Sequence, residues 1–577
     1  MAFSGIGLSP DSTGEFLFSL FAVIAISLML SWILAITVAP MVAYALFKSE
    51  KGTRTDPYAG PVYTGYRNAL VAALGNRWLT LAGLVALTLA SIWGFGFVKN
   101  AFFPNSNTPI FYVNMSEPQG TDILATDAMV REVANYAARQ PEAVAVDAFV
   151  GRGATRFMLT YMSEQPNDAY GQLVVRARDL DAIPALADRI LAHIAETHPD
   201  VEARADRIVF GPPSGARLEA RFMGPDAQVL RSLGEEAMAR LRAEGDVRDL
   251  RTDWRNRQLT LQPDIATERA RTIGVTREDI GEALRFANEG LTVGLYREGD
   301  TLIPIVARAP QSERIEPDAL SDRLIWSPAQ GAYVPMNQVV EGFDLVARDT
   351  LIQRRDRVRT LTVQANPLEG ETAAAAFERF SAIVSSVELP RGYALEWGGE
   401  YEANLEANQS LGSVLPVSFL VMLVVSFLLF QSVRQPLIIW AIVPMSICGV
   451  TVGLLITDTA FSFTALLGFL SLSGMLIKNA IVLVDEIDQR IRGGQDRYAA
   501  VREGSVSRLR PVMLAAGTTI LGMTPLIFDA FFQGMAVTII GGLAFATILT
   551  LIAAPVLYAL FFAIRAASRP EEAAGSA

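Results

Sequence analysis

Residues 463–484 read FTALLGFLSLSGMLIKNAIVLV, a run of apolar and small residues broken by one ammonium, Lys478. At about 1.5 Å per residue the run is long enough, as a helix, to cross a bilayer's hydrocarbon core, and Lys478 lies roughly 9 Å from its end. A cation at such depth costs roughly 2.5–3.5 kcal/mol on insertion scales, so it requires a protein- or water-facing position and a counter-charge. None of the other apolar runs carries a charge.

Those runs are Phe16–Phe47, Trp78–Val98, Leu411–Gln431, Leu437–Thr457, Pro511–Phe528 and Met535–Ile564, which with 463–484 predict seven spans. The 577 residues are 51% hydrophobic, with a mean hydropathy of +0.30, above the norm for soluble chains. The first run is too long, and lacks the basic flank, for a cleaved signal peptide. A net charge of −11 with no basic domain argues against nucleic acid as a partner. The single cysteine, Cys448, excludes an intrachain disulfide.

Between the second and third runs the character changes. Residues 99–407 alternate strand-like stretches (Ile110–Met115, Arg156–Tyr161, Gly171–Arg176, Arg217–Phe222) with amphipathic helices (Thr121–Ala138, Ile183–Thr197). The rhythm runs from Thr108 to Phe210 and again from Ala216, closing with Thr372–Trp397. It predicts two related α/β subdomains, the second split by an insertion at about 263–367. GLTVGLYREGDTLIPIVAR within that insertion reads as an extended hairpin. His193 and His198, with Glu196 between them, allow a zinc site, but no third ligand is evident and a solvated helix face is the simpler reading.

Seven spans put the termini on opposite sides. Basic connectors carrying Lys48, Lys51, Arg54, Arg67 and Arg77, then Arg434, Arg490 through Arg510, and Arg565 with Arg569, fall on one face, which the positive-inside rule makes cytoplasmic. The soluble insert falls on the other. The expected order is a lead-in at 1–15, a span at 16–47, a connector at 48–77 containing an amphipathic helix, a span at 78–98, the insert at 99–407, a five-helix bundle at 408–565 and a tail at 566–577. ILAITVAPMVAYALF in the first span echoes ILTLIAAPVLYALFF in the last, aligning Pro40 with Pro555, as in transporters built from two repeated halves.

SGMLIKNAIVLVDE, RLRPVMLAAGTTILGMTPL and GMAVTIIGGLAFATILTLIAAPVLYALF together resemble the last membrane helices of resistance-nodulation-division (RND) efflux permeases, with the hydrophobe and amphiphile (multidrug) branch the nearest in pattern. GGEYEANLEANQSL and FFPNSNTPIFYVNMSEPQGT extend the resemblance over essentially the whole chain. It implies a polytopic α-helical membrane protein with seven transmembrane helices and a large α+β periplasmic insert of ferredoxin-like porter subdomains plus a docking subdomain. It also implies the C-terminal half of such a pump, with five helices and a first insert upstream of Met1.

By that resemblance the protein is a proton antiporter rather than an enzyme, needs no cofactor, and sits in the inner membrane of a Gram-negative bacterium. Its partners would be protons, small amphiphilic substrates, the N-terminal half, further copies in a homotrimer, a periplasmic adaptor and an outer-membrane channel. Lys478 falls on a relay lysine that pairs with two aspartates of a missing helix, and Arg508 on a second basic relay member. Asn479 follows the lysine. A threonine expected seven residues after Arg508 is Ala515 here, so Thr518 and Thr519 become the substitutes. No span contains Asp or Glu, so this chain alone cannot complete the relay. Phe149 and Phe157, flanking VGRGATR, fall in the region of the family's substrate pocket, where a role as plain core residues is the competing reading. Met158, Met162 and Met223 leave metal export open, since thioethers suit soft ions. A non-transporting half-pump or split-gene scaffold is a further alternative. A membrane-anchored enzyme is disfavoured for want of a nucleophile elbow, phosphate loop or metal cluster.

Overall fold

The computed structural model describes residues 12–46, 58, 60–158, 160–211, 215–245, 247–310 and 320–564. The expected lead-in up to residue 11, the connector residues Lys48, Lys51 and Arg54, and the tail with Arg565 and Arg569 lie outside them. The chain divides into two compact units: Met1–Ser116 with Thr126–Asp253 and Gln353–Ala577, and Glu117–Ala125 with Trp254–Ile352.

The first unit opens with three helices, α1 (Ser12–Leu46), α2 (Pro61–Gly75) and α3 (Arg77–Phe95). It continues through β1 (Ile110–Ser116), α4 (Ile123–Ala138), β2 (Ala143–Val150), β3 (Tyr170–Ala177), α5 (Ala182–Thr197) and β4 (Glu202–Arg207). The four strands form an antiparallel sheet in the order β2-β3-β1-β4. Apolar residues at helical spacing on α4 (Met129, Val130, Val133) and α5 (Leu186, Ile190, Ile194) pack on Phe111, Val113 and Met115 of β1 and Leu173 and Val175 of β3. The described residues of the expected strand Arg156–Tyr161 form a loop instead. Both sides of β3 are already taken by β2 and β1, so Met158 and Tyr161 pack over the face of the sheet beside Tyr112 and Val174 instead of pairing at an edge. β4, EARADR, is too polar to announce itself as a strand.

A second sheet repeats the plan. β5 (Leu218–Met223), α6 (Ala227–Glu244) and β6 (Arg248–Thr252) precede the second unit. That unit holds β7 (Gln258–Ile265), α7 (Thr267–Ile273), α8 (Arg277–Asn288), β8 (Leu291–Glu298), β9 (Thr301–Ala307), β10 (Leu324–Ser327), β11 (Ala332–Pro335) and β12 (Val340–Arg348). β13 (Arg354–Arg355), β14 (Val358–Asn366), α9 (Ala373–Val384) and β15 (Ala394–Gly399) then complete the second sheet, ordered β6-β14-β5-β15. Substituting β5, β6, β14 and β15 for β1 to β4 reproduces the first sheet's order. The insertion spans Trp254–Ile352 rather than 263–367, because β14, with Leu361, Val363 and Ala365 fully buried, is a central strand of the second sheet.

Inside the second unit, β7 pairs with β12 and β8 with β9, the latter an antiparallel hairpin as its sequence predicts. Val293, Leu295, Tyr296, Leu302, Ile303, Ile305 and Val306 are all exposed on that hairpin.

The remaining helices are α10 (Glu400–Phe430), α11 (Arg434–Ile442), α12 (Ile447–Ile456), α13 (Phe463–Arg492), α14 (Arg497–Met523) and α15 (Gln533–Phe561). Among the described residues seven helical stretches are long and apolar enough to cross a membrane, counting α11 and α12 together. The run 437–457 is not one regular helix: Pro444 opens a 3-10 turn at Val443–Ser446 between α11 and α12. α10, α13 and α14 extend well past their apolar runs into charged sequence. Where α12 meets α15 the backbones touch: a Cβ on Gly449 would lie 2.2 Å from the Gly541 carbonyl oxygen, and one on Gly541 2.7 Å from that of Gly449. Small residues permit this approach, the usual basis of helix association in an apolar medium.

Candidate relay and cargo sites

Ser462 starts α13, its hydroxyl accepting from the Ala465 N–H, and Arg490 and Arg492 complement the dipole in the last turn. Leu472, Leu476, Ala480, Leu483, Val484 and Ile487 form its buried stripe. Lys478 points elsewhere. It is exposed, on a face shared with Met475 and Val482, and makes no ion pair or hydrogen bond with any described residue. Asn479 beside it is half-buried.

Arg508 does not stand with Lys478. Its guanidinium pairs with Glu486, which also takes Arg490 Nε at 2.7 Å and the Ser507 hydroxyl at 3.4 Å. Sequence reading missed this carboxylate because it ended the span at Val484, whereas the helix continues to Arg492. The i,i+4 pair Glu486–Arg490 was the available signal. Two residues on, Asp488 accepts from Gln435 Nε2 at 3.0 Å and from the Tyr558 hydroxyl. Thr518 and Thr519 both donate to the Ala515 carbonyl of their own helix, at 3.0 and 2.9 Å, so their hydroxyls are spent locally.

Phe149 and Phe157 each border an aromatic cluster on the first sheet, built around Tyr112 and Tyr161. Phe157, half exposed, stacks on Tyr161 with centroids 4.9 Å apart, and Tyr161 sits 5.1 Å from Tyr112. Phe149 and Met158 flank the same buried cluster. Burial pushes the Tyr112 and Tyr161 phenols up, so both stay neutral hydrogen-bond donors. Behind them runs a polar chain. Tyr161 Oη and the Ala154 N–H both donate to Gln172 Oε1, Gln172 Nε2 and Tyr170 Oη donate to Asn114 Oδ1, and Asn114 Nδ2 donates to Asp206 at 2.7 Å. Tyr112, Tyr161 and this chain were not singled out from sequence, since lone aromatic and amide residues in strands carry no distinguishing spacing.

Met158 belongs to that cluster, Met162 is exposed, and Met223 lies on β5 of the other sheet. No group of three or more His, Cys, Asp or Glu among the described residues is set to hold a metal ion. Glu196 is exposed, and the two histidines turn toward α4 instead. His198 Nε2 lies 2.9 Å from Glu132, and His193 stacks on Tyr136 with centroids 3.7 Å apart.

Similarity to known proteins covers nearly all of this architecture. Residues 2–562 match the model of the AcrB/AcrD/AcrF family. The chain is 26% identical over 93% of its length to the cobalt-zinc-cadmium resistance protein CzcA of Cupriavidus metallidurans, covering 52% of it. It is 29% identical over 53% of its length to the nickel and cobalt resistance protein CnrA of the same organism, covering 30% of that protein. Protein HelA of Legionella pneumophila is 24% identical over 95% of the chain, with 54% of its own length matched. A crystal structure of a heavy metal efflux pump superposes with a TM-score of 0.72 at 22% identity, over 87% of this chain and 51% of that one, a likeness of fold. The chain thus spans about half the length of CzcA and HelA. By its sequence match and its fold, it belongs to the AcrB/AcrD/AcrF family of RND efflux permeases.

Proposed function

We propose that this chain supplies the C-terminal half of a proton-driven RND permease that exports a divalent metal cation across the inner membrane. One observation carries the transport reading: Lys478 is a cation on the exposed face of a membrane-length helix, and the described residues give it no counter-charge. A carboxylate from the other half of the pump would pair with it, and protonation of that carboxylate would release it. Metal is preferred over the amphiphilic drugs suggested by the helix motifs, because two relatives matching along most of the chain are named for metal resistance and a third for cation efflux. With no donor cluster in the described residues, metal ligands contributed jointly with the missing half fit this reading. The aromatic cluster of Tyr112, Phe157 and Tyr161 favours amphiphile export as the second reading. Homotrimeric assembly with an adaptor and outer-membrane channel belongs to the same proposal.

The test is transport by the complete pump in proteoliposomes with an imposed proton gradient. Zinc or cobalt movement exceeding that of a fluorescent amphiphile is the expected result, and Lys478→Ala should lower it at least a hundredfold without disturbing assembly. Full activity in Lys478→Ala would refute the relay, and amphiphile movement without metal movement would refute the cargo.

A further inference from the structure

Residues 99–106 leave α3 for β1 and belong to neither, yet they are tied on three sides. Toward α13, the Phe461 N–H donates to the Lys99 carbonyl at 2.7 Å, the Ala101 N–H to the Phe461 carbonyl at 3.3 Å, and the Phe463 N–H to the Phe102 carbonyl at 2.9 Å. Asn100 and Phe461 form a parallel bridge. Toward the end of β4, the Ser106 N–H donates to the Ile208 carbonyl at 2.7 Å and the Phe210 N–H to the Pro104 carbonyl at 3.0 Å, around an antiparallel bridge of Asn105 with Val209. Toward α10, the Phe102 N–H donates to Glu400 Oε1 at 3.0 Å.

Aromatic rings seal the junction. Phe102, Phe103 and Phe463 are each about 5% exposed and lie within 4.7–5.8 Å of one another by centroid, and Phe531 stacks against Phe103. Gly211, at φ +120°, allows the chain past the Phe103 ring, 2.4 Å from where a Cβ would stand. Packed rings and backbone bonds shielded from water resist sliding, whereas isolated surface contacts do not.

α13 itself has no internal proline, whereas α1, α10, α14 and α15 contain Pro40, Pro416, Pro511 and Pro555. Like α3, it therefore lacks the commonest cause of a helix kink. Phe463 lies fifteen residues before Lys478, about 22 Å along the axis.

We propose that residues 99–106 form a rigid clip through which displacement of α13 reaches both β1 and β4 of the first sheet, with Phe102, Phe103 and Phe463 as its positioning residues. The clip rests on the export reading for its purpose, since that reading makes α13 the helix that responds to protons.

Because the clip and the start of α13 move as one body, joining them covalently is harmless. In the complete pump carrying Cys448→Ser, Asn100→Cys and Phe461→Cys, oxidation should change metal transport less than twofold. Arrest on oxidation, reversed by reductant, would overturn the proposal. Phe102→Ala with Phe463→Ala should cut metal transport at least tenfold while proton uptake continues, with Phe463→Leu restoring it; undiminished transport in the double variant would also overturn it. Hydrogen exchange decides independently of transport. Amides of Ala101, Ser106 and Phe210 should exchange within tenfold of those in the second turn of α13, and exchange at exposed-loop rates would overturn the clip. A pump that moves no metal would sink the export reading and leave this exchange result standing.

Discussion

Glu486 and Lys478 share one helix, eight residues apart, and differ in how their charges are met. Glu486 is held between Arg490 and Arg508, while Lys478 faces outward with no described partner. Within this chain Arg508 is thus a strut between α13 and α14, whereas Lys478 has no partner among the described residues. Outside the membrane helices, Asp253 presents a different imbalance. Burial pushes its carboxyl up to about 6, against the Thr362 N–H bond at 2.7 Å that favours the charged form. A raised carboxyl binds its proton more tightly in the folded state. Its ionisation therefore weakens the fold progressively from about pH 4 to pH 6, and the loss is complete above that window. Asp253→Asn keeps an acceptor for Thr362 and removes the charge. Melting curves should show the variant more stable at pH 7.5, by no more than about 3 kcal/mol, and indistinguishable near pH 4. A gain confined to low pH would contradict this.

At the scale of elements, the connector helix α2 repairs a defect in α15. Pro555 has no N–H, so the Leu551 carbonyl four residues earlier loses its helical donor. Tyr66 Oη supplies one at 2.7 Å, and Arg77 caps the Ile564 carbonyl, also at 2.7 Å, beyond the end of α15. Tyr66→Phe leaves a shielded carbonyl unpaired and should cost about 1–3 kcal/mol, read as earlier denaturant unfolding of the detergent-solubilised protein. Unchanged unfolding would mean that water already serves that carbonyl. Sequence alone located the apolar helices because hydropathy over some twenty residues is unambiguous. It lost β4, EARADR, where side chains are polar or small and the pairing comes from a distant neighbour, β1. It misread Arg156–Tyr161, where apolar alternation serves a stacked loop. It ended α13 too early because a hydropathy window cannot see a helix continuing through Asp485 and Glu486 on the strength of Arg490 and Arg508.

Across the whole molecule, repetition was legible and its purpose was not. The rhythm of strands and helices predicted two related subdomains, and four strands of the second sheet follow the order of the first, with β13 added beside β14. The helix motifs pointed to the family, while the cargo preference came from similarity spread along the chain rather than from any cluster of ligands. The β8–β9 hairpin, apolar and exposed, has the composition of a segment buried on assembly. Tyr296→Asp with Ile305→Asp should shift the assembled pump from trimer toward monomer in native mass spectrometry, and an unshifted trimer would remove the hairpin from the interface.

Everything proposed for transport turns on what Lys478 meets in the complete pump. A cryo-electron-microscopy structure of the assembly measures this directly, as the separation of Lys478 Nζ from the nearest carboxylate oxygen. A carboxylate of the other half within about 4 Å is the expected result. An ammonium extended to the lipid headgroups, with no acid within reach, would contradict it.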